Sequence, residues 1–222
     1  MTLETGWIAV ALSSSIENGT STGAKVGGRE IVVWRDNAGG AHVWEDRCPH
    51  RGMRLSFGFV RGDHIACLYH GWQYDSSGQC RHIPAHPSLD VPATIAVPTY
   101  RAAEKYGMVW ATASDTAQLP EIEAASGVSP VRSLYIDGGA DDVLAALGQA
   151  GLTPLDAQAG VLTINGDRLL IALQAVSPER TALHIVVLEP ASAGFSRRGH
   201  AQWAETFRYT IENSQPTQAE VA

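Results

Sequence analysis

The sequence predicts a mainly β / α+β protein. It reads as an antiparallel β domain over residues 1–115, a linker over 116–130, a smaller α+β domain over 131–212 and a disordered tail over 213–222. Three observations predict this. Short apolar runs separated by Gly-rich turns fill the first half, with little helical periodicity. From Ser114 to Pro130 the chain turns polar and rich in Pro, Ala and Ser, as a linker would. Beyond it, helix-spaced and strand-like apolar segments alternate.

The elements follow in order. EIVVW (30–34), the turn RDNAGG and AHVWED form a β-hairpin signature. HIACLY is a further strand, and WQYD-SSG-QCRHI a hairpin turning at Ser76–Gly78. KYGMVWATA (105–113) reads as one apolar strand closing the first domain. VRSLYIDGG begins the second domain as a strand. DDVLAALGQAG, opened by Asp141 and Asp142 and closed by Gly, suits a short helix. VLTI, NGD, LLIALQAV, SPER and TALHIVVLEP alternate strands and turns. In GHAQWAETFRYTIE (199–212), Trp203, Phe207 and Ile211 fall at i, i+4, i+8, an amphipathic helix.

Composition narrows the function. Hydrophobic residues are 45% and charged residues 18% of the 222, as in an ordinary globular chain. With 23 acids against 16 bases the net charge is −7, which argues against nucleic acid or an anionic membrane as partner. The N-terminus lacks the basic region of a signal peptide, and no apolar run is long enough for a membrane span. Three cysteines cannot build a disulfide framework, and free thiolates suit a reducing compartment. A cytoplasmic location is expected.

The chemistry concentrates in two short stretches. CPHRG places Cys48 and His50 one residue apart; CLYHGW places Cys67 and His70 two apart, and Gly52 and Gly71 lie close behind. Thiolate and imidazole both suit zinc or iron. Zinc fingers group two cysteines and then two histidines, whereas each loop here supplies one of each. That alternation suits a Rieske [2Fe–2S] centre, one iron taking two thiolates and the other two imidazoles. A structural zinc site, and unconnected surface histidines, are the alternatives. A Rieske centre works in one-electron transfer, its histidines nearer solvent.

CPHRG followed by CLYHGWQYDSSGQC resembles the signature of the Rieske non-haem iron (ring-hydroxylating) oxygenases over roughly residues 5 to 115. The resemblance implies that Cys48 and Cys67 bind one iron and His50 and His70 the other. Respiratory-type Rieske proteins carry an extra cysteine in each loop, joined as a disulfide; Met53 and Tyr69 stand there instead, which implies a potential toward the low end of the Rieske range. Cys80 is left over as a packed thiol. An oxygenase of this family also needs a mononuclear iron held by two histidines and a carboxylate. Past residue 115 the family's histidine pair is missing; His184 and His200 lie sixteen apart, with Asp137 and Asp142 as the acids considered beside them. The order of elements after residue 130 resembles an abridged helix-grip catalytic domain, so a complete catalytic domain and its mononuclear iron are not expected.

The resulting expectation is a [2Fe–2S] one-electron carrier of an oxygenase-type system. A reductase or ferredoxin donates to it, and it serves a separate or neighbouring mononuclear-iron catalytic subunit, the second domain aiding docking or oligomerisation. An oxygenase with its own divergent iron site, and a cluster-dependent redox sensor, are the competing readings. Trp34, Trp44 and Trp110 are read as core, and Trp72 as a wall between cluster and water. Arg51, Arg54, His82 and His86 are candidates for a docking rim.

Overall fold

The computed structural model describes residues 2–122, 127–189 and 196–214. Fifteen strands and two α-helices occur among these. The first ten strands are β1 (Ile8–Leu12), β2 (Thr20–Val26), β3 (Arg29–Arg35), β4 (Ala41–Glu45), β5 (Phe59–Arg61), β6 (His64–Ala66), β7 (Gln73–Asp75), β8 (Cys80–His82), β9 (Thr99–Lys105) and β10 (Met108–Thr112). They form a six-stranded antiparallel sheet ordered β1-β10-β9-β4-β3-β2 and a four-stranded one ordered β5-β6-β7-β8. The mainly β first half is therefore as expected.

β11 (Val128–Asp137) opens the second half, followed by α1 (Ala140–Gln149), β12 (Thr153–Pro154), β13 (Ala159–Ile164), β14 (Asp167–Ser177), β15 (Arg180–Leu188) and α2 (Arg197–Ser214). Its sheet runs β11-β15-β14-β13-β12, all antiparallel. Leu183, Ile185 and Val187 alternate toward the helices, where they meet Val143, Leu147, Ala204 and Ile211. Asp141 and Asp142 sit in the first turn of α1, where the helix dipole favours anions. Ser196 caps α2, its Oγ accepting the Gly199 N–H at 3.0 Å.

Three expectations change. KYGMVWATA is not one strand: Lys105 ends β9, Tyr106 and Gly107 turn at φ +55° and +70°, and β10 begins at Met108. An apolar run hid this hairpin because its first turn residue is Tyr, not Gly or Asn. Within the linker assigned to 116–130, Ala117, Leu119 and Ile122 enter an apolar layer, and Val128–Pro130 belong to β11. α2 extends through Asn213 and Ser214, two residues into the expected tail; residues 215–222 lie outside those described.

The two halves share that apolar layer. Trp7, Ala9, Met108 and Trp110 of the first pack against Leu170, Ala172, Val186 and Leu188 of the second. β1 is consequently buried on both faces, which is why IAVAL shows no alternation. A clasp lies beside the layer. The two-residue Gly27–Gly28 turn, at φ +57° and +84°, donates its N–H groups to the Ala175 and Val176 carbonyls at 2.7 and 2.9 Å.

Candidate functional site

Two loops with one hydrogen-bond pattern carry the four predicted ligands. The first leaves β4 and runs through Cys48–Gly52; the second leaves β6 and runs through Cys67–Gly71. In the first, Cys48 N–H donates to the Met53 carbonyl at 2.8 Å and Gly52 N–H to the Cys48 carbonyl at 2.8 Å. In the second, Cys67 N–H donates to the Trp72 carbonyl at 2.9 Å and Gly71 N–H to the Cys67 carbonyl at 2.9 Å. Each loop thus bonds residue n to n+5 and n+4 to n. Both closing glycines have left-handed φ, +73° at Gly52 and +69° at Gly71. At Gly71 a Cβ would also sit 3.1 Å from Pro84 Cγ.

The loops bring like groups together. Cys48 and Cys67 are both buried in one core cluster. The His50 and His70 rings lie 4.6 Å apart by centroid at a steep angle. His70 is exposed and His50 half-buried, so the imidazoles form the outer end and the thiols the inner end. Trp72 stacks flat on His50 at 4.4 Å, and Tyr69 leans on His70 at 3.9 Å. Trp72 is half-buried and packs against the thiol-bearing core.

Hydrogen-bond donors converge on the sulfurs. The Tyr74 hydroxyl lies 3.1 Å from Cys48 Sγ, and the backbone N–H groups of His50 and Arg51 also face it. Tyr69 and His70 present theirs to Cys67. The Cys67 thiol, followed by these other donors, draws the Cys48 pKa down to about 6. The Cys67 thiol is pushed up, first by the neighbouring Cys48 and then by burial. Burial and the neighbouring Cys48 push the Tyr74 phenol up, so it stays protonated as a donor. Two thiols among such donors beside two imidazoles are a donor set that fits a Rieske-type [2Fe–2S] cluster.

Tyr74 escaped the sequence reading. Its signal was the alternation of β7, where Gln73 and Asp75 are half-buried and Tyr74 points inward. Cys80 is buried opposite Tyr74, its Sγ 3.8 Å from the His82 carbonyl, and burial raises its pKa. Trp34 and Trp44 meet edge to face at 4.9 Å in the same core. His82 is half-buried at the end of β8, and His86 lies on the loop beyond.

The second half does not bring its candidates together. His184 is buried with both nitrogens engaged: Nδ1 lies 2.7 Å from Ser133 Oγ and Nε2 2.7 Å from Gln174 Oε1. Gln174 donates its amide to the Lys25 carbonyl at 2.9 Å, which turns its oxygen to His184 and makes Nε2 the protonated nitrogen. His200 Nε2 lies 2.8 Å from Asp167 Oδ2, pinning the start of α2 to β14. Asp137 pairs with Arg180, and Asp142 stays in α1. Among the described residues, no three His, Cys, Asp or Glu side chains converge on a point for one metal ion.

With the paired loops established, the class of protein follows: residues 6–101 match the family model for the Rieske [2Fe-2S] domain, and the chain carries such a domain. Proteins named as oxygenase components are among its relatives. Oxidoreductase NdmD of Pseudomonas putida is 35% identical over 150 residues, 64% of this chain and 26% of that protein. The chloroacetanilide N-alkylformylase oxygenase component of Rhizorhabdus wittichii is 40% identical over 117 residues, 53% of this chain and 33% of that one. The chain thus spans roughly a quarter to a third of these relatives. In fold, the structure of NdmA from Pseudomonas putida CBB5 superposes with a TM-score of 0.75 at 20% identity, covering 98% of this chain and 84% of that one. Apo dicamba monooxygenase gives 0.74 at 15% identity, covering 96% and 86%. The likeness in fold therefore includes the second half. No described helix is long and apolar enough to cross a membrane.

Proposed function

We propose that this chain is a one-electron carrier of an oxygenase-type system, with Cys48 and Cys67 holding one iron of a [2Fe–2S] cluster and His50 and His70 the other. The observation that carries this reading is the matched pair of loops, which sets two thiols at the inner end and two imidazoles at the outer end. A bound Rieske cluster supplies a one-electron couple. The residues do the rest: Tyr74 and the loop N–H groups stabilise charge on sulfur, Trp72 excludes water, and His50 and His70 present the edge through which the electron passes. A reductase or ferredoxin gives the electron, and a mononuclear-iron catalytic subunit, separate or neighbouring, receives it. His184 and His200 serve packing, one within a hydrogen-bond chain and the other in a buried hydrogen bond to Asp167.

Iron and acid-labile sulfide per chain, with EPR of the dithionite-reduced protein, test this. Two irons, two sulfides and a Rieske signal, lost in Cys48→Ser and His70→Ala, are expected. A Rieske spectrum surviving either substitution would refute the ligand assignment. The fold likeness across the second half favours one other reading, an oxygenase with its own divergent iron site. A reproducible third iron per chain would favour that one.

A further inference from the structure

Three arginines lie over aromatic rings along one flank of the molecule, beside the cysteine pair. Arg61 sits 5.4 Å over Phe59, Arg54 5.9 Å over Phe57, and Arg180 5.1 Å over Tyr135. The three rings are 48%, 56% and 46% exposed, among the most exposed large apolar side chains described. Phe57, Arg54, Tyr135 and Arg180 line one cleft of about 670 Å³ between the two halves, and the third pair, Phe59 and Arg61, follows Phe57 closely along the chain in β5. Exposed rings capped by arginine are the kind of anchor that dominates protein interfaces.

The cleft itself carries both signs, Glu30 and Asp46 beside Lys25, Arg54 and Arg180, but the segment that leads to Phe57 and Phe59 is basic. Residues 47–62 hold four arginines and no acid in a chain of net charge −7. Arg54 is tied to Glu30 and Arg180 to Asp137. Arg47, Arg51 and Arg61 form no ion pair among the described residues, whereas ten of the sixteen Lys and Arg do. The strip also lies one side-chain layer from the thiols. Around Leu55–Arg61, Leu55 and Val60 point inward into the core that holds Cys48 and Cys67, while Phe57, Phe59 and Arg61 point out.

We propose that this strip is the docking surface for an acidic one-electron donor, giving electrons an entry separate from the histidine edge. The inference rests on the electron-carrier reading above. The donor loses one electron and this chain gains it, with no bond made or broken. The apolar rings supply contact area, and Arg61, the one of these three ring-capping arginines with no ion pair among the described residues, attracts carboxylates and speeds encounter.

The test is anaerobic stopped-flow reduction of the protein by a pre-reduced plant-type [2Fe–2S] ferredoxin, an acidic probe. At low ionic strength Arg61→Glu should slow the second-order step about tenfold, shrinking below about threefold in half-molar salt. Phe57→Ala with Phe59→Ala should slow it at all salt concentrations. Arg101→Glu and Arg198→Glu, equal charge changes elsewhere, should stay within about twofold of wild type. Arg61→Gln guards against misfolding, and EPR of every variant checks the metal centre. Wild-type rates in both Arg61 variants, or equal slowing in the controls, would overturn the docking surface while leaving the carrier reading intact. A wild-type protein without a Rieske EPR signal would overturn both.

Discussion

Replacing Tyr74 by Phe removes one oxygen and almost no volume, so it isolates the hydrogen bond to Cys48 Sγ. The residue is fully buried and its hydroxyl lies 3.1 Å from the sulfur. A hydrogen bond to a charged acceptor contributes about 1.5–3 kcal/mol. It strengthens on reduction only by the share of the added electron that reaches this sulfur. The His50 and Arg51 N–H groups remain as donors after the change. A differential of about 1 kcal/mol is therefore expected, which for a one-electron couple is roughly 45 mV. The sign is fixed: the donor favours the more negative, reduced state, so Tyr74→Phe should lower the potential. A redox titration followed by EPR or circular dichroism reads the shift directly. A midpoint unchanged within about 10 mV, or one that rises, would show that the hydroxyl does not stabilise charge on this sulfur.

Burial lowers the His184 pKa to about 4 from 6.5, so between these values the unfolded chain binds a proton that the folded one does not. Stability should thus fall by about 3 kcal/mol as pH drops through that window, and His184→Gln should flatten the dependence in denaturant titrations. Trp110, fully buried between the halves, should cost about 3–5 kcal/mol when cut to Ala. Both halves should then melt together at the lower temperature, seen by calorimetry. Gly71→Ala forces a methyl group into left-handed backbone beside Pro84, a strain of about 1–2 kcal/mol or more. It should lower the iron content of purified protein, measured per chain, whereas Ala at open, exposed Gly148 should not.

What the sequence made legible follows from how local each signal was. Cys48, His50, Cys67, His70 and their glycines sit in two short loops, so spacing alone carried the chemistry. The hairpin of β3 and β4 was visible because its loop is rich in Gly and Asn. The β9–β10 turn was hidden because Tyr106 holds a positive φ that Tyr seldom adopts. The 116–130 segment read as a linker because it is polar and rich in Pro, Ala and Ser, which hides the apolar Ala117, Leu119 and Ile122. Only long-range packing against the second half gives them a role. Tyr74 and the His184–Gln174–Lys25 chain join residues far apart in sequence, and no local pattern announces such a pairing.

The apolar layer between the halves bears on how electrons travel. Swinging the cysteine- and histidine-bearing loops away from the second sheet would bare Trp7, Trp110 and Met108 on one side and Leu170, Val186 and Leu188 on the other. It would also break the backbone clasp at Gly27 and Gly28. A head anchored in this way is a fixed terminal, not a pendulum. On the proposed carrier reading, donor and acceptor would travel to it, and turnover would be governed by how fast they land and leave.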